Sequence, residues 1–274
     1  MNEIFETELY HLVEARHGKF LANPNDKYLG RSIIKYGEFS EVEWRALDQL
    51  IKPGSVVIEA GANMGAFTVP IAKKAGRNGL VYAFEPQLMV FQQLCANLAL
   101  NDLVNVQAFN AGCGDESKWM PIVRPNPAAE ENYGGFSLKA LQGGSMVKIR
   151  VEKLDDAIDP PRLNLIKADV EGMEPEVLRG ASGLIAEFRP VLYVEAHNPD
   201  ESPVLIRLLH EMEYDLWWHL PLMYSAGNYT GDADNIFGNI TSKNILGVPA
   251  EHKLKVQSAR PVAGENDHPR HWAG

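Results

Sequence analysis

The stretch of residues 56–72 constrains the fold of this chain more than any other. Residues 56–58 form a short, β-branched apolar run without polar alternation, which is typical of a parallel strand covered on both faces. Gly61 and Gly65 follow within a tight turn, and an apolar helix begins directly after it. A strand, a glycine turn and a helix in this order are typical of the nucleotide-binding end of a doubly wound sheet, so we predict an α/β fold.

The spacing of the glycines indicates which nucleotide such a turn would hold. A dinucleotide site requires Gly-x-Gly-x-x-Gly, whereas this chain has Glu59-x-Gly61-x-x-x-Gly65. The carboxylate of Glu59 can accept hydrogen bonds from the α-ammonium group of S-adenosylmethionine (SAM), and it would repel a pyrophosphate. We therefore predict a SAM site that includes Glu59, Gly61, Ala62, Asn63 and Gly65. The alternative is that Glu59 caps the following helix and that the glycines only turn the chain.

The next two strands add further predicted cofactor contacts. The second strand, residues 79–85, ends in Glu85 and Pro86. Glu85 comes 20 residues after Gly65, where a doubly wound sheet carries the carboxylate that binds the ribose hydroxyls. An exposed glutamate at a strand end is the alternative. The third strand lies within residues 104–115, and we place the adenine ring against its small-residue loop, with contacts from Asn110, Ala111 and Gly112.

A helix is predicted to begin after Ser40, because Ser40 and Glu43 have the spacing of a capping box. The residues just before this helix lead towards the glycine strand and can fold over the methionine half of bound SAM. Packing explains them equally well. The cofactor contacts predicted in this segment are Tyr36, Glu38, Phe39 and Ser40.

A second stretch that carries chemistry starts with a strand that ends at Asp169 and continues into a turn with Glu171 and Glu174. Dipole compensation at the start of the next helix accounts for Glu174. It does not account for Asp169, which belongs at the carboxyl end of a central strand, where ligands bind. The fifth strand ends in the same way, at Glu195 and His197.

These strand ends supply the predicted catalytic residues, which are Asp169, Glu195 and His197. Methyl transfer to an alcohol requires a base that removes the hydroxyl proton. A histidine titrates near neutral pH without help, whereas a carboxylate does so only when its pKa is raised. Asp169 could instead bind the SAM ammonium group or a Mg²⁺ ion, and the sequence does not choose between these roles.

Composition limits the partners of the chain. The net charge of −10, from 26 basic and 36 acidic residues, argues against a broad nucleic-acid-binding face and favours a small neutral or basic acceptor. No run of about 18 apolar residues exists, and the first residues are acidic where a signal peptide would be basic. We therefore expect a cytoplasmic protein without membrane contact. Cys95 and Cys113 lack metal-ligand spacing, and we expect both thiols to be buried.

We predict one α/β domain over residues 53–249, with additions before and after it. Apolar positions at helical spacing predict an amphipathic helix over residues 3–17, in an N-terminal region 1–52 that packs on the core. A homodimer through this region is conceivable. Residues 250–274 have no periodicity, so we expect a disordered tail.

An insertion is predicted inside the domain, at about residues 117–150. Two strand-like pieces flank a loop rich in Pro, Asn and Gly, which predicts a β-hairpin. The loop residues Tyr133, Gly134, Gly135 and Phe136 are expected to shape the acceptor pocket.

Several ordered motifs within residues 25–250 together resemble the FkbM family of SAM-dependent methyltransferases. The segments that carry the resemblance are 36–39, 58–65, 84–86, 167–174, 178–181, 189–195 and 244–249. The family often has Asp where this chain has Glu59, a change that alters the reach of the side chain and keeps its charge.

The resemblance implies a Rossmann-like class I methyltransferase domain, with a seven-stranded, mostly parallel sheet, an antiparallel last strand and helices on both faces. It also implies O-methylation of a hydroxyl group on a carbohydrate or natural product, with S-adenosylhomocysteine (SAH) as the product of SAM. The residues by themselves support only a SAM-dependent methyltransferase. They leave open a nicotinamide-dependent oxidoreductase and a non-catalytic SAM-binding protein.

Overall fold

The computed structural model describes residues 3–135, 145–253, 256 and 259–272. The strands in the described residues are β1 (Glu3–Glu6), β2 (His11–Ala15), β3 (Gly18–Ala22), β4 (Val56–Ala60), β5 (Leu80–Phe84), β6 (Val106–Phe109), β7 (Gly112–Gly114), β8 (Lys118–Val123), β9 (Met146–Lys153), β10 (Leu165–Ala168), β11 (Val191–Glu195), β12 (Tyr214–His219), β13 (Asn244–Pro249) and β14 (Arg260–Pro261).

The α-helices in the same residues are α1 (Leu29–Tyr36), α2 (Glu41–Leu50), α3 (Thr68–Ala75), α4 (Leu88–Leu100), α5 (Leu154–Ala157), α6 (Glu174–Gly180), α7 (Ser182–Phe188) and α8 (Ser202–Glu211). Short 3₁₀ turns occupy Ala250–His252 and Pro269–His271.

The centre of the fold is a sheet in which the described strands have the order β14-β12-β13-β11-β10-β4-β5-β6. Strands β11, β10, β4, β5 and β6 run parallel, and β13 lies antiparallel between β11 and β12. This order confirms the predicted Rossmann-like class I fold and its antiparallel strand beside the fifth. The sheet has eight strands rather than seven, because the two residues of β14 pair with β12.

Both faces of the sheet are covered, as the unbroken apolar run of β4 predicts. All five residues of β4 are buried. Val56 and Ile58 belong to one apolar core, which includes side chains of α6, α7 and α8. Val57 belongs to the other core, together with side chains of α2, α3 and α4. A strand buried on both faces leaves only its carboxyl end open to a ligand.

The N-terminal segment is a small sheet, and the predicted helix over residues 3–17 is wrong. Strands β1, β2 and β3 pair antiparallel in sequence order. Along β2 the burial alternates, so that Val13 and Ala15 are buried, and Phe20 and Ala22 of β3 join them in the core that includes α4. Alternate residues of these strands pack into the core that includes α4. The energy of this packing favours strands, although the spacing of the apolar residues in the local sequence predicts a helix.

The predicted insertion contains the expected hairpin, because β8 pairs antiparallel with β9 from Lys118 opposite Val151 to Val123 opposite Met146. Strand β9 also pairs parallel with β7, which forms a second small sheet. The middle of the insertion, residues 136–144, lies outside the described residues, and so does Phe136.

The last described segment, residues 259–272, is ordered, in contrast to the expected disorder. His268 is buried, and its ring lies edge-on to Trp218 of β12 with the ring centroids 5.6 Å apart. The Trp272 indole N–H donates to the carboxylate of Asp267 at 2.7 Å. Aromatic contacts to a distant strand fix this segment, and such contacts leave no periodic signal in the sequence.

The prediction that both cysteines are buried is confirmed for one of them and wrong for the other. Cys113 is buried as predicted, whereas Cys95 is exposed, because on α4 it lies beside Leu94 and Leu98, which take the buried face. None of the described helices combines the length and the apolar character needed to cross a membrane.

Candidate active site

The carboxyl ends of β4, β5, β10 and β11 surround a cavity of about 340 Å³. The predicted site residues that line it are Phe39, Glu59, Gly61, Ala62, Asn63, Glu85, Pro86, Gly112, Asp169, Glu195 and His197. The predicted residues outside its lining are Tyr36, Glu38, Ser40, Gly65, Asn110 and Ala111. The structure therefore brings the strand-end carboxylates together, as the parallel sheet predicts.

Gly61 allows two strand ends to meet. Its φ is +85°, and a Cβ built on it would lie 1.9 Å from the carbonyl oxygen of Asp169. A side chain there would collide with the backbone that carries Asp169, so glycine is required on both conformational and steric grounds. Gly65 has φ +92°, and its Cβ would lie 2.9 Å from Leu94 Cδ1. Gly65 is therefore favoured by its positive φ, and it lies against α4 rather than in the cavity wall.

Glu85 is fixed in the cavity by backbone donors. Its side chain is buried, and its two oxygens accept the N–H of Asn63 at 3.0 Å and the N–H of Gln87 at 2.8 Å. Burial raises the pKa of Glu85 to about 7, and these two hydrogen bonds act in the opposite direction. Each carboxylate oxygen retains a further lone pair that can accept a hydroxyl group. The alternative of an exposed glutamate at a strand end is excluded.

Glu59 is also buried, and it is held by a side chain of α3. Its carboxylate accepts the hydroxyl of Thr68 at 2.7 Å. This donor is a side-chain hydroxyl and not a helix backbone N–H, so the bond is not a helix cap. Burial raises the pKa of Glu59 to about 7, while the charge of Lys167 lowers it.

Lys167 is the central cation of the cavity. Its ammonium group lies 3.1 Å from the carboxylate of Asp169 and 4.8 Å from the centroid of the Phe67 ring. Burial alone lowers the pKa of Lys167, but the charges of Asp169, Glu59 and Glu43 outweigh burial and raise it. The lysine is therefore charged and acts as counter-ion to several carboxylates.

Lys167 was missed as a site residue, although the sequence contains a signal for it. Strand β10 reads Leu-Ile-Lys-Ala, and all four residues are buried. A lysine inside a strand that is covered on both faces needs carboxylate partners. That requirement points to Asp169 directly after the strand and to Glu59, which is its register partner on β4.

Three acidic groups meet at the opening of the cavity. Carboxylate oxygens of Asp169, Glu171 and Glu195 lie within 4.8 Å of one another. Burial, with the charges of Asp169 and Glu174 adding to it, raises the pKa of Glu171 to about 8. Burial and the neighbouring carboxylates also hold the pKa of Glu195 well above its usual range. Glu195 therefore binds a proton more readily than an exposed glutamate does.

His197 lies at the exposed edge of the same group. Its Nδ1 is 3.4 Å from the ammonium nitrogen of Lys243. A lysine only donates hydrogen bonds, so Nδ1 is the unprotonated nitrogen and Nε2 carries the proton. Partial burial and the charge of Lys243 lower the pKa of His197, and Asp169 raises it. The neutral ring therefore presents an N–H donor at Nε2 in this arrangement.

Two predicted cofactor residues anchor a loop instead. The Tyr36 hydroxyl donates to the carbonyl of Asp234 at 2.6 Å and accepts the N–H of Ile236 at 2.9 Å. Glu38 accepts a hydrogen bond from Arg16 at 2.6 Å and the N–H of Tyr229 at 2.9 Å. These contacts match the packing alternative for the segment before α2, and Phe39 alone of the four predicted residues lines the cavity.

The predicted capping box is present as a helix start but not as a set of hydrogen bonds. Helix α2 begins at Glu41, and the Ser40 side chain makes no capping bond. The Ser40 hydroxyl donates instead to the carboxylate of Glu43 at 3.0 Å. Glu43 lines the cavity, and burial raises its pKa to about 7 against the effect of Lys167.

Of the three loop residues predicted to contact the adenine ring, one lines the cavity and two do not. Asn110 donates from its side-chain amide to the carbonyls of Glu85 and Pro86, at 3.0 and 3.1 Å, so it braces the turn that carries Glu85. Ala111 is part of an apolar core. Gly112 and its neighbour Cys113 line the cavity.

Gln87 is a second residue that the sequence prediction missed. Its side chain is buried in the cavity wall, and its amide nitrogen donates to the carbonyl of Tyr133 at 2.8 Å. Its Oε1 has no hydrogen-bond partner among the described residues. Through Tyr133, Gly134 and Gly135 the insertion lines this same cavity, where the sequence predicted that it would shape the acceptor pocket.

Comparison with known proteins connects this geometry to a family. Residues 59–216 match the family described as Methyltransferase FkbM domain. Methyltransferase sdnD of Sordaria araneosa is 28% identical over 193 residues, which cover 58% of this chain and 73% of that protein. Methyltransferase 1 of Beauveria bassiana is 28% identical over 145 residues, which cover 46% of this chain and 58% of that protein.

Two further relatives complete the comparison. Hexuronic acid methyltransferase AglP of Haloferax volcanii is 26% identical over 171 residues, which cover 61% of this chain and 66% of that protein. The crystal structure of Methyltransferase FkbM from Methylobacillus flagellatus KT superposes with a TM-score of 0.47 at 19% identity, over 71% of this chain and 44% of that chain.

The matched segment contains the residues that form the cavity wall on four strands. Glu59, Glu85, Asp169 and Glu195 all lie inside it, and it covers more than half of the chain. This chain belongs to the FkbM family of methyltransferase domains.

Proposed function

We propose that this chain transfers a methyl group from SAM to a hydroxyl oxygen of a small acceptor. The observation that carries the proposal is that one cavity is lined by Glu59 and Glu85 on neighbouring strands and reaches Asp169, Glu195 and His197. Its volume of about 340 Å³ falls in the range of about 300–1,000 Å³ that is usual for small-molecule sites.

The residues of the cavity fit SAM. Glu85 offers carboxylate oxygens to the ribose hydroxyls, and Glu59 offers negative charge to the α-ammonium group. The buried Oε1 of Gln87 needs a donor, which a ribose hydroxyl or the adenine amino group provides. A nicotinamide dinucleotide fits less well, because its pyrophosphate would approach the carboxylate of Glu59.

In this proposal, the residues at the opening of the cavity act on the acceptor during methyl transfer. When bound, SAM supplies a methyl group whose carbon bonds to the acceptor oxygen while its bond to sulfur breaks, and the bonding pair stays on the sulfur of SAH. The hydroxyl proton passes to the carboxylate of Asp169, the base in this proposal. The Nε2–H of His197 donates a hydrogen bond to the acceptor, and the carboxyl group of Glu195 makes a second polar contact that helps to orient it.

The size of the acceptor is supported by two observations. The net charge of −10 disfavours a nucleic acid, and one relative is named a hexuronic acid methyltransferase. We therefore extend the proposal to a carbohydrate or another hydroxylated small molecule.

Calorimetric titration of the ligand-stripped protein with SAH, and in parallel with NAD⁺, tests the cofactor. We expect one-site binding of SAH and none of NAD⁺. Binding of NAD⁺ alone, or of neither ligand, would overturn the proposal. Incubation with methyl-labelled SAM and a panel of hydroxylated acceptors then separates an enzyme from a non-catalytic SAM-binding protein, which would bind SAH and never yield a labelled product.

A further inference from the structure

A second cavity of about 760 Å³ adjoins the first. Both cavities are lined by Glu171, Glu195, His197 and Thr241, so these four side chains form the boundary between them. The boundary contains the groups to which we assign the orientation of the acceptor. A molecule in the second cavity therefore presents its reacting group directly to the first.

The last segment of the chain forms part of the second cavity. His268, Arg270 and Trp272 line it, and all three lie beyond the residues that match the family. His268 is buried, and its Nδ1 accepts the backbone N–H of Arg270 at 3.1 Å, so the proton is on Nε2. Nε2 then donates to the carbonyl of Ala196 at 3.1 Å. This bond fixes the segment to the chain between Glu195 and His197.

Contacts within residues 259–272 also stabilise the segment. The guanidinium group of Arg260 lies 3.7 Å from the centroid of the Trp272 ring, and the indole N–H donates to Asp267. The wall is therefore built by interlocking contacts and is not a loose end of the chain.

Two cations line the second cavity without a carboxylate partner among the described residues. Within the part of the chain that the structure describes, neither Lys243 nor Arg270 has a carboxylate oxygen within 4.0 Å. The polar contact of the Lys243 ammonium group is the weak one to His197 at 3.4 Å. A cavity that holds two such cations is suited to an anionic group.

Four carboxyl groups also line this cavity, those of Glu171, Glu174, Glu195 and Glu201, and two of them are the less available for hydrogen bonding or charge. Glu174 accepts the backbone N–H groups of Val170 and Gly172, at 3.0 and 3.1 Å. Burial raises the pKa of Glu174 to about 7 and that of Glu171 to about 8. Burial thus reduces the negative charge that Glu171 and Glu174 carry at neutral pH, and Glu195 and Glu201 remain as further acidic groups beside the two cations.

We propose that the second cavity is the acceptor site, and that the acceptor is a hydroxylated molecule with an anionic group, a carboxylate or a phosphate, held by Lys243 and Arg270. The proposal rests on the proposed function, because it takes the first cavity as the SAM site. It adds that residues 259–272 form part of the acceptor specificity of this chain.

The test measures binding of three probe sugars to the full chain saturated with SAH: D-glucuronate, D-glucose 6-phosphate and D-glucose. We expect at least one of the two anionic sugars to bind at least tenfold more tightly than glucose, and the preferred one identifies the anionic group. Equal affinity for all three, tighter binding of glucose, or no binding of either anionic sugar would overturn the proposal.

Substitutions of two residues locate the charge. Lys243→Ala and Arg270→Ala are each expected to weaken binding of the anionic sugar about three- to fivefold, as for a partly exposed ion pair, and to leave glucose binding unchanged. Arg270→Glu is expected to weaken it further. The matched control is Lys52→Ala, an exposed lysine before β4. Unchanged binding in both cavity variants would overturn the assignment.

The binding of SAH separates this proposal from the proposed function. All four variants are expected to bind SAH like the wild type. If the wild type binds SAH and shows no preference for an anionic sugar, the acceptor proposal fails and the cofactor assignment stands. If the wild type does not bind SAH, the proposed function itself fails.

Discussion

The two sides of the first cavity hold their carboxylates in different ways. On the cofactor side, Glu59 and Glu85 are 1% and 4% exposed, and each is bonded to a fixed donor of the chain. On the acceptor side, the Asp169 side chain is 37% exposed, and Glu195 and His197 form a boundary with a second cavity. Under the proposed function, the chain fixes the groups that meet SAM and leaves more exposed those that meet the acceptor.

The positions of Glu59 and Asp169 relative to their strands explain why one side chain is buried and the other is partly exposed. Strand β4 lies between β10 and β5 in the middle of the sheet, so Glu59, its fourth residue, is buried from all sides. Asp169 follows the end of β10 and lies in the turn before α6, where the chain leaves the sheet. Glu59 is therefore fixed by the sheet and Asp169 depends on neighbouring loops. Glu85 follows β5 and is fixed instead by the backbone N–H groups of Asn63 and Gln87.

The comparison predicts its largest effect for Asp169→Asn. Loss of the base is expected to lower turnover about 10²- to 10⁴-fold, while SAH affinity and the melting temperature change little. Turnover is measured with methyl-labelled SAM and an acceptor identified by the panel. Asp200→Asn, an exposed residue of the loop after β11, is the control and is expected to keep full turnover. Full activity of Asp169→Asn would remove the residue from the mechanism.

Lys167→Met breaks the link between the two sides. It leaves Glu43, Glu59 and Asp169 without their shared cation, and we expect a loss of about 3–5 kcal/mol in the free energy of unfolding at pH 8. The loss is expected to shrink at pH 6, because protonation of Glu43 and Glu59 removes the unpaired charge. Urea unfolding at both pH values measures it. Lys74→Met, which removes a half-exposed pair with Asp48, is expected to cost less than about 1 kcal/mol.

Glu85→Ala tests the preset cofactor side alone. We expect the SAH affinity to fall by about 1.5–3 kcal/mol, because the ribose loses a charged acceptor and two backbone N–H groups lose their partner. Calorimetric titration gives the value, and Glu116→Ala, an exposed glutamate before β8, is the control. An unchanged SAH affinity would mean that the ribose does not bind at Glu85.

The pH dependence of SAH binding is the smallest effect and sharpens the comparison. Burial raises the pKa of Glu59 to about 7, so the Glu59 carboxyl group of the unliganded protein is mostly protonated below pH 7. An ammonium group favours the charged carboxylate, so binding releases the proton. The SAH affinity is expected to rise about tenfold from pH 6 to pH 8, as the ionised fraction rises from about one tenth to nine tenths.

The same raised pKa gives a stability effect of known sign. A carboxyl group whose folded pKa is raised contributes stability that is complete below its unfolded pKa and is lost as the pH rises through about 7. Glu59 and Glu85 are therefore expected to contribute more to the free energy of unfolding of the unliganded protein at pH 5.5 than at pH 8. Bound SAH is expected to reduce this difference between the two pH values. An SAH affinity that does not vary with pH would contradict the assignment of Glu59 to the ammonium group.

The sequence by itself determined the fold class and the side of the sheet on which the site lies. Glu59, Gly61, Glu85 and Asp169 each follow or end an apolar strand, and the carboxyl ends of parallel strands meet at one edge. Local spacing was sufficient there, because each residue could be placed from its own strand. The segment 36–40 could not be placed in this way, and two of its four predicted residues, Tyr36 and Glu38, anchor a loop.

The tertiary structure alone decided what surrounds these residues. The N-terminal strands, the proximity of Glu43 to Lys167 and the ordered segment 259–272 all depend on contacts between distant parts of the chain. His268 bonds to Ala196, 72 residues away, and Lys167 gathers carboxylates from α2 and β4. Neither partner has a local pattern that names the other, because burial and charge balance are properties of the folded chain as a whole.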